Sequence, residues 1–454
     1  MSPRQDQITA LRRLLSRGPA SGKSLAQALG LTQSAFSRLW PQTGPDIVSI
    51  GAARATQYAL MRPIRELGST LPIYRITEQG QQVLFGELTA LVKDQYVFTW
   101  NAGPKSKTQW FIGLPYFLQD LRPQGFLGAL IPHENATLQL PEKINQWNDD
   151  DVLYYLARRG EDVIGNLIVG NESANRFHTH ARSRQGLIPE RARIARYPTL
   201  ADEANAGHVG NSSAGGDQPK FLACVAREGE PAEAQRVEHV IVKFSPKLES
   251  ASARRWGDLI ICEHLALSTL RRHGIPACQS QIVEAGSRVF LEVVRFDRVG
   301  QQGRLPMVSI LGLDGELGTA AESWTYAATM LCKEKKLSED DLERIRLLDL
   351  FGSLIGNSDR HQGNLSLAWT LQNSLALLPS YDMLPMLYRP NSQGEIVEQT
   401  FSMSVLDKLD LRHLAGALSM AKEVLNLVLE DDRISKDFKE ITSRHLKTIS
   451  QYEP

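Results

Sequence analysis

Two polar segments of this 454-residue chain, GNSDRHQGNLSLAW (356–369) and SYDMLP (380–385), carry residue types that could move a phosphoryl group. Such a transfer needs a carboxylate that orients the attacking hydroxyl and takes its proton. It also needs oxygen ligands for the magnesium ions that neutralise the phosphates. Asp359 and Asn364 stand five apart, the separation of base and metal-binding amide in a kinase catalytic loop. Between Asn364 and Asp382 lie two apolar runs, Leu365 to Trp369 and Leu375 to Leu378, parted by the polar turn Leu371 to Ser374. A hairpin there returns the chain and sets Asp382 beside Asn364 as a second metal ligand. Taken singly, Asn357, Asp359, Asn364 and Asp382 are of the kind that form turns and caps. Their joint placement after a helix and around a hairpin favours the chemical reading.

A second constellation lies upstream. Lys243 ends the alternating run HVIVKF, where a strand lysine can hold nucleotide phosphates, and Glu263 follows in the next helix, able to pair with it. The plainer reading makes Lys243 a charge that protects a strand edge and Glu263 a solvated helix residue. A third segment, GHVGNSSAGGDQPKF (207–221), is glycine-rich; its amides could approach phosphate oxygens, and Lys220 adds charge at its end. It fits neither GxGxxG nor GxxxxGK[ST], so generic motif rules leave it a flexible loop.

These residues need a scaffold, and the order of elements supplies one. The expected strands are Phe221 to Val225, His239 to Phe244, Gln279 to Glu284 and Arg288 to Arg295, with a helix from Trp256 to His273 among them and a mostly helical stretch from Ser323 to Ile355 after them. That is an α+β arrangement, a small β-rich lobe feeding a helical lobe. Ahead of it, 83–170 reads as mixed, with a strand at Gln95 to Trp100 and a helix near Asp150 to Arg159. Residues 171–206, polar and weakly periodic, read as a mobile linker. The His178 and His180 pair within it has no further Cys or His nearby, which favours a solvated loop over a metal site. Residues 63–82, with Pro63, Gly68, Pro72 and Gly80, read as a connector. The division is then 1–62, connector 63–82, small lobe 83–300 and helical lobe 301–454.

The first 62 residues read as a winged helix-turn-helix. Ile8, Leu11, Leu14 and Leu15 recur at helical spacing, Ser21 and Thr32 can cap a second and third helix, and Ile47 to Ile50 with Thr56 to Met61 form a wing with Arg54 near its tip. Gln33, Ser34, Ser37 and Arg38, early in the third helix, are the candidate base readers. The alternative is a small helical adaptor with solvated basic residues. Eight Lys/Arg against two acids give this segment +6 in a chain of net charge zero, and that offset favours a polyanion partner.

Hydrophobic residues at 42% and charged residues at 22% are those of an ordinary soluble protein. Four scattered cysteines without a CxxC pair fit a reducing compartment. The start, MSPRQDQITALRR, has no apolar signal core, and no run approaches a membrane span, so a cytoplasmic protein is expected.

Together SSAGGDQPK, HVIVKF, VRFDR (294–298), GNSDRHQGN and YDMLP resemble the HipA family of bacterial toxin serine/threonine kinases over about 83–454. The resemblance implies a two-lobed kinase-like fold, ATP and Mg2+ as cofactors, and transfer of the γ-phosphate to Ser/Thr of a protein; the targets known in the family are aminoacyl-tRNA synthetases. It implies Asp359 as catalytic base with His361 in the family's Asp-x-His arrangement, and Asn364 and Asp382 as magnesium ligands. Lys243 becomes the nucleotide-phosphate lysine, while Gly215, Gly216, Gln218 and Lys220 fall in the phosphate-loop motif. Val294, Arg295 and Phe296 fall at the adenine-binding hinge. Ser213, with Ser212 beside it, matches the serine whose autophosphorylation ejects the loop and inactivates the kinase. Two departures stand out: Asp217 adds an acid beside the phosphates, and a helix-turn-helix precedes a body that in typical members relies on a separate DNA-binding antitoxin. A homodimer on two half-sites follows from the helix-turn-helix. The competing readings are a transcription regulator whose kinase-like body only senses a ligand, and a small-molecule kinase on the same scaffold.

Overall fold

Residues 3–51, 56–101, 107–182, 186–207, 218–228, 236–317, 323–369, 374–407 and 409–452 are described by the structure, a computed structural model. The chain opens with α1 (Pro3–Leu15), β1 (Ala20–Ser21), α2 (Gly22–Ala28), α3 (Gln33–Leu39), β2 (Ile47–Ile50) and β3 (Gln57–Leu60). Ser21 and Thr32 accept the Ser24 and Ala35 amides at 3.2 Å each, which fixes where α2 and α3 begin. The strands form a small antiparallel sheet in the order β1-β3-β2, and Leu11, Leu15, Leu25, Phe36 and Ile47 fill the core beneath it.

The next sheet corrects the expected boundaries. Strands β4 (Thr70–Ile76), β5 (Gln82–Leu91), β6 (Gln95–Trp100) and β7 (Thr108–Ile112), with β8 (Leu167–Val169) after three helices, α4 (Tyr116–Gln119), α5 (Gly125–Glu134) and α6 (Asp149–Arg159), make five strands in the order β7-β6-β5-β4-β8. Residues 63–82 are therefore not a plain connector, because the whole of β4 lies there and pairs with β5. Pro72 misled the reading. Its carbonyl accepts from Gly170 on the β8 side, so its missing N–H also faces that side, where the pairing with β8 covers only Ile73 to Arg75. Nor does a joint at 62 free the first unit: the Arg62 amide donates to Ala90 O at 3.0 Å, and Met61 bridges Leu91.

Residues 171–206 are not a mobile linker either. They form α7 (Asn171–Arg182), β9 (Leu187–Pro189) and α8 (Arg193–Ala206). Ala174 and Phe177 pack on Ile76 and Ile168, while Arg193, Tyr197 and Ala201 are buried along one side of α8. The apolar stripe is thin because a charge stands in it: the Arg193 guanidinium donates to both Glu292 oxygens, at 3.0 and 2.9 Å. Paired in this way, a charged residue can occupy a core position. His178 contacts Gln82 at 2.7 Å rather than standing in open solvent.

Strands β10 (Lys220–Arg227), β11 (Arg236–Phe244), β12 (Ser280–Ala285) and β13 (Arg288–Val294) join β9 in a second five-stranded sheet, order β12-β13-β11-β10-β9, flanked by α9 (Ala251–Arg272). A hairpin of β14 (Arg298–Val299) and β15 (Gly303–Arg304) spans the expected 300/301 boundary. The remainder is β16 (Val308–Ser309), α10 (Ile310–Leu317), α11 (Trp324–Lys333), α12 (Glu339–Leu354), β17 (Ser366–Trp369), β18 (Leu375–Leu377), α13 (Leu414–Glu430) and α14 (Lys436–Ser450). One core unites the first five-stranded sheet with α9 and these helices, and Phe85 meets Trp369 with ring centroids 5.4 Å apart. The β10–β13 sheet keeps its own core around Tyr197, Phe221, Phe244 and Phe290. The segment 83–300 thus holds two sheets, and Val289, Leu291 and Val293 of the second face the core that it shares with the first.

Candidate active site

The site forms where the β10–β13 sheet faces the β17/β18 hairpin. Lys243 and Lys220 are directly opposed on β11 and β10, so their side chains leave the same face of the sheet. The Lys243 ammonium donates to Glu263 Oε1 and Oε2 at 2.6 and 2.7 Å, and also to the Asp382 carboxylate. Glu263 accepts the Asp382 amide as well, at 3.2 Å. The lysine side chain is 6% exposed and that of Glu263 0%, whereas Asp382 keeps 29% of its side chain open. Burial opposes the charge on Lys243, yet Asp382 and Glu263 outweigh it and hold the ammonium above the usual lysine range. Burial pushes the Glu263 carboxyl up against the pull of Lys243. Burial also acts on Asp382, but Lys243 and Lys220 overcome it and hold this carboxyl below its usual range. The two acids are thereby differentiated: Asp382 is the anion that faces outward.

Strands β17 and β18 pair antiparallel, Leu367 with Leu377 and Trp369 with Leu375, and the return leads directly to Asp382. This aspartate sits at φ +54°, a left-handed conformation that costs roughly 1 kcal/mol or more for a residue other than glycine. Asn357 holds it there. Its Nδ2 donates to Asp382 O at 3.0 Å while its Oδ1 accepts the Asp359 amide at 3.0 Å. The Asn364 Nδ2 donates to Asp359 O at 2.9 Å, so its amide oxygen is turned away from that bond. Asp359, Asn364 and Asp382 are laced into one network with Asn357 at its centre. His361 closes the loop by accepting the Gly363 amide at 3.0 Å.

Not every expected residue converges there. The Arg295 guanidinium turns away to Asp297, at 3.0 and 2.8 Å, inside a buried ion cluster with Arg298 that half-exposed Asp162 closes on its solvent side. Val294 and Arg295 give their amides to Gln279 O and His239 O. Phe296 packs against Tyr381, ring centroids 5.8 Å apart. Gln218 stands two residues before Lys220 with a buried Nε2 that has no hydrogen-bond partner among the described residues. Ser212, Ser213, Gly215, Gly216 and Arg54 lie outside the described residues. Gln33, Ser34, Ser37 and Arg38 are exposed on α3, while Phe36 and Leu39 face its core.

Residue types alone did not single out Arg360 and Asp349. Arg360 donates to Asp349 Oδ1 at 3.3 Å and to the Asn357 carbonyl, tying the loop to α12; a buried acid one turn before the end of that helix was the available signal.

Comparison with known proteins agrees with this architecture. Residues 67–178 match the YjjJ-like toxin, middle domain, and residues 212–448 match the HipA-like C-terminal domain. Toxin YjjJ of Escherichia coli (strain K12) is 36% identical over 452 residues, covering 98% of each chain. Among solved structures, the HipA chain of the Shewanella oneidensis MR-1 HipA, HipB and operator DNA complex aligns with 84% of this chain and 97% of its own, at 14% identity and a TM-score of 0.49. The extent of the first three matches places this chain in the family of HipA-like toxins.

Proposed function

We propose that the chain is an ATP- and magnesium-dependent kinase that phosphorylates serine or threonine of a protein. One observation carries this reading: Lys243 joins Glu263 to the Asp382 carboxylate while Asn357 ties the backbone of Asp382 to that of Asp359, so that the loop bearing Asp359 is fastened to the residue that bears the outward carboxylate. The donor set suits a magnesium-bound nucleotide. Asp382 and the Asn364 amide oxygen are hard oxygen ligands, Lys243 and Lys220 are paired cations for phosphates, and Gln218 has an N–H in need of an acceptor. Bound there, the nucleotide would supply the transferable γ-phosphoryl group.

In this scheme Asp359 orients the acceptor hydroxyl and takes its proton. Glu263 keeps the Lys243 ammonium in place, and His361 holds the 359–364 turn closed. Gly215 and Gly216 complete the phosphate loop, with Phe296 at its adenine end. Ser213, or its neighbour Ser212, is the site of self-modification that switches the enzyme off. The protein target is expected among aminoacyl-tRNA synthetases or other parts of translation.

The first unit acts as a winged helix-turn-helix that carries the chain to DNA, with Gln33, Ser34, Ser37 and Arg38 exposed on α3 for base edges. A dimer on two half-sites is the natural arrangement. With the DNA contact in the same chain, an antitoxin would serve to restrain the kinase rather than to find the operator.

The test is direct. Purified full-length protein given labelled ATP and magnesium is expected to acquire phosphate at Ser213 or Ser212, and the Asp359→Ala variant is not. Equal labelling of the two proteins, or none in either, would end the proposal.

A further inference from the structure

Two hydrogen-bonded pairs, Asp120 with Ser309 and Ser366 with Tyr381, lie on paired strands between the middle domain and the turn that carries Asp359 and Asn364. Asp120, just after α4, accepts the Ser309 amide at 2.6 Å and the Ser309 hydroxyl at 2.5 Å. Ser309 Oγ in turn accepts the Gly312 amide at 3.0 Å, so it caps the first turn of α10. Ser309 is directly opposed to Ser366 across β16 and β17, which puts both side chains on one face. Ser366 Oγ lies 2.6 Å from the Tyr381 hydroxyl, and that hydroxyl donates to Gly363 O at 2.8 Å.

The direction of these bonds is fixed by counting protons. A carbonyl only accepts, so the single phenolic proton goes to Gly363, and the Ser366 hydroxyl must donate to Tyr381. The backbone adds a parallel link, the Ile310 amide donating to Leu365 O at 2.9 Å. Gly363 lies between the two residues assigned to base and metal binding, so the phenol grips the turn at its middle.

From this geometry we infer that Tyr381 and Asp120 are positioning residues, through which the middle domain sets the conformation of the 359–364 turn. The inference rests on the phosphotransfer reading only for its kinetic consequence; the conformational claim stands without it. A phenol that merely filled space would be replaced by phenylalanine without effect. One that positions the turn would not.

Two readouts on the full chain separate these cases. The first is hydrogen exchange of the 359–364 amides without nucleotide. Tyr381→Phe keeps the ring against Phe296 and is expected to speed exchange there about three- to tenfold, the loss of one buried hydrogen bond. Ser366→Ala, which removes the hydroxyl that donates to the Tyr381 phenol, and Asp120→Asn are expected to act in the same direction. The second readout is steady-state phosphotransfer, in which kcat should fall by about tenfold or more while KM for ATP stays within about twofold. Unchanged exchange at 359–364 in both Tyr381→Phe and Ser366→Ala overturns the inference, as does a change in Asp120→Asn confined to 116–134. If the wild-type chain transfers no phosphate, the kinase reading fails and the exchange measurement alone decides this one.

Discussion

Lys243 is the residue on which the site turns. Its ammonium satisfies a carboxylate that is 0% exposed, so removing it leaves Glu263 buried with only the Asp382 amide as partner. Breaking such a buried pair costs about 3–5 kcal/mol. Lys243→Met is therefore expected to lower stability at pH 7 by that order, read as the denaturant midpoint, and the loss should shrink as pH falls and the raised Glu263 carboxyl takes a proton. His445 sets a second pH limit. It is stacked on Phe401 with centroids 3.9 Å apart and donates to Leu354 O, just ahead of the active-site loop, and burial depresses it to about 4. The folded protein holds this ring neutral, whereas the unfolded chain protonates it near pH 6.5. The stability it contributes is complete above that value and is lost as pH falls toward 4, a change of about 3 kcal/mol. Urea midpoints measured across this window should show the slope, and His445→Gln should flatten it. Asp359, Asn364, Asp382, Lys243 and Glu263 were legible because their chemistry and spacing are carried by type alone. The destination of Arg295 was not, since nothing local reveals that Asp297 and Asp162 draw it into a buried cluster.

Elements were legible where periodicity was clean. The strands that bear Lys220 and Lys243, the helix that bears Glu263 and the β17/β18 return all follow from apolar patterning and turn residues. Patterning failed for α7 and α8, because an ion pair took a place that apolar residues usually fill. If Arg193 anchors α8 to β13 through Glu292, Arg193→Ala should destabilise the β10–β13 sheet by about 3 kcal/mol. Hydrogen exchange should locate the loss in β13 and α8 and leave α12 to α14 unchanged. It also failed for β4, where Pro72 marked a break although its missing donor faces a side on which β8 pairs only Ile73 to Arg75. A positive φ at Asp382 is invisible to any pattern, since aspartate enters the left-handed region only when its surroundings require it.

At the scale of the whole chain, shared backbone hydrogen bonds between Arg62 and Ala90, and between Val92 and Leu60, join the first unit to the middle sheet. Among the described residues no helix is long and apolar enough to cross a membrane. The +6 segment at the start of the chain thus sits on a fixed body, and the DNA contact proposed for it should carry a strong salt dependence. Arg38→Ala is expected to weaken operator binding by about 1–3 kcal/mol, read by fluorescence anisotropy at several salt concentrations. The central claim is that Asp359 drives transfer of phosphate to protein. The most direct measurement is the phosphoproteome of cells after brief induction, wild type beside Asp359→Ala. The account expects one or a few Ser/Thr sites, together with Ser213 or Ser212, that rise only with the wild-type chain. Identical phosphoproteomes, with growth arrested equally by both proteins, would contradict it.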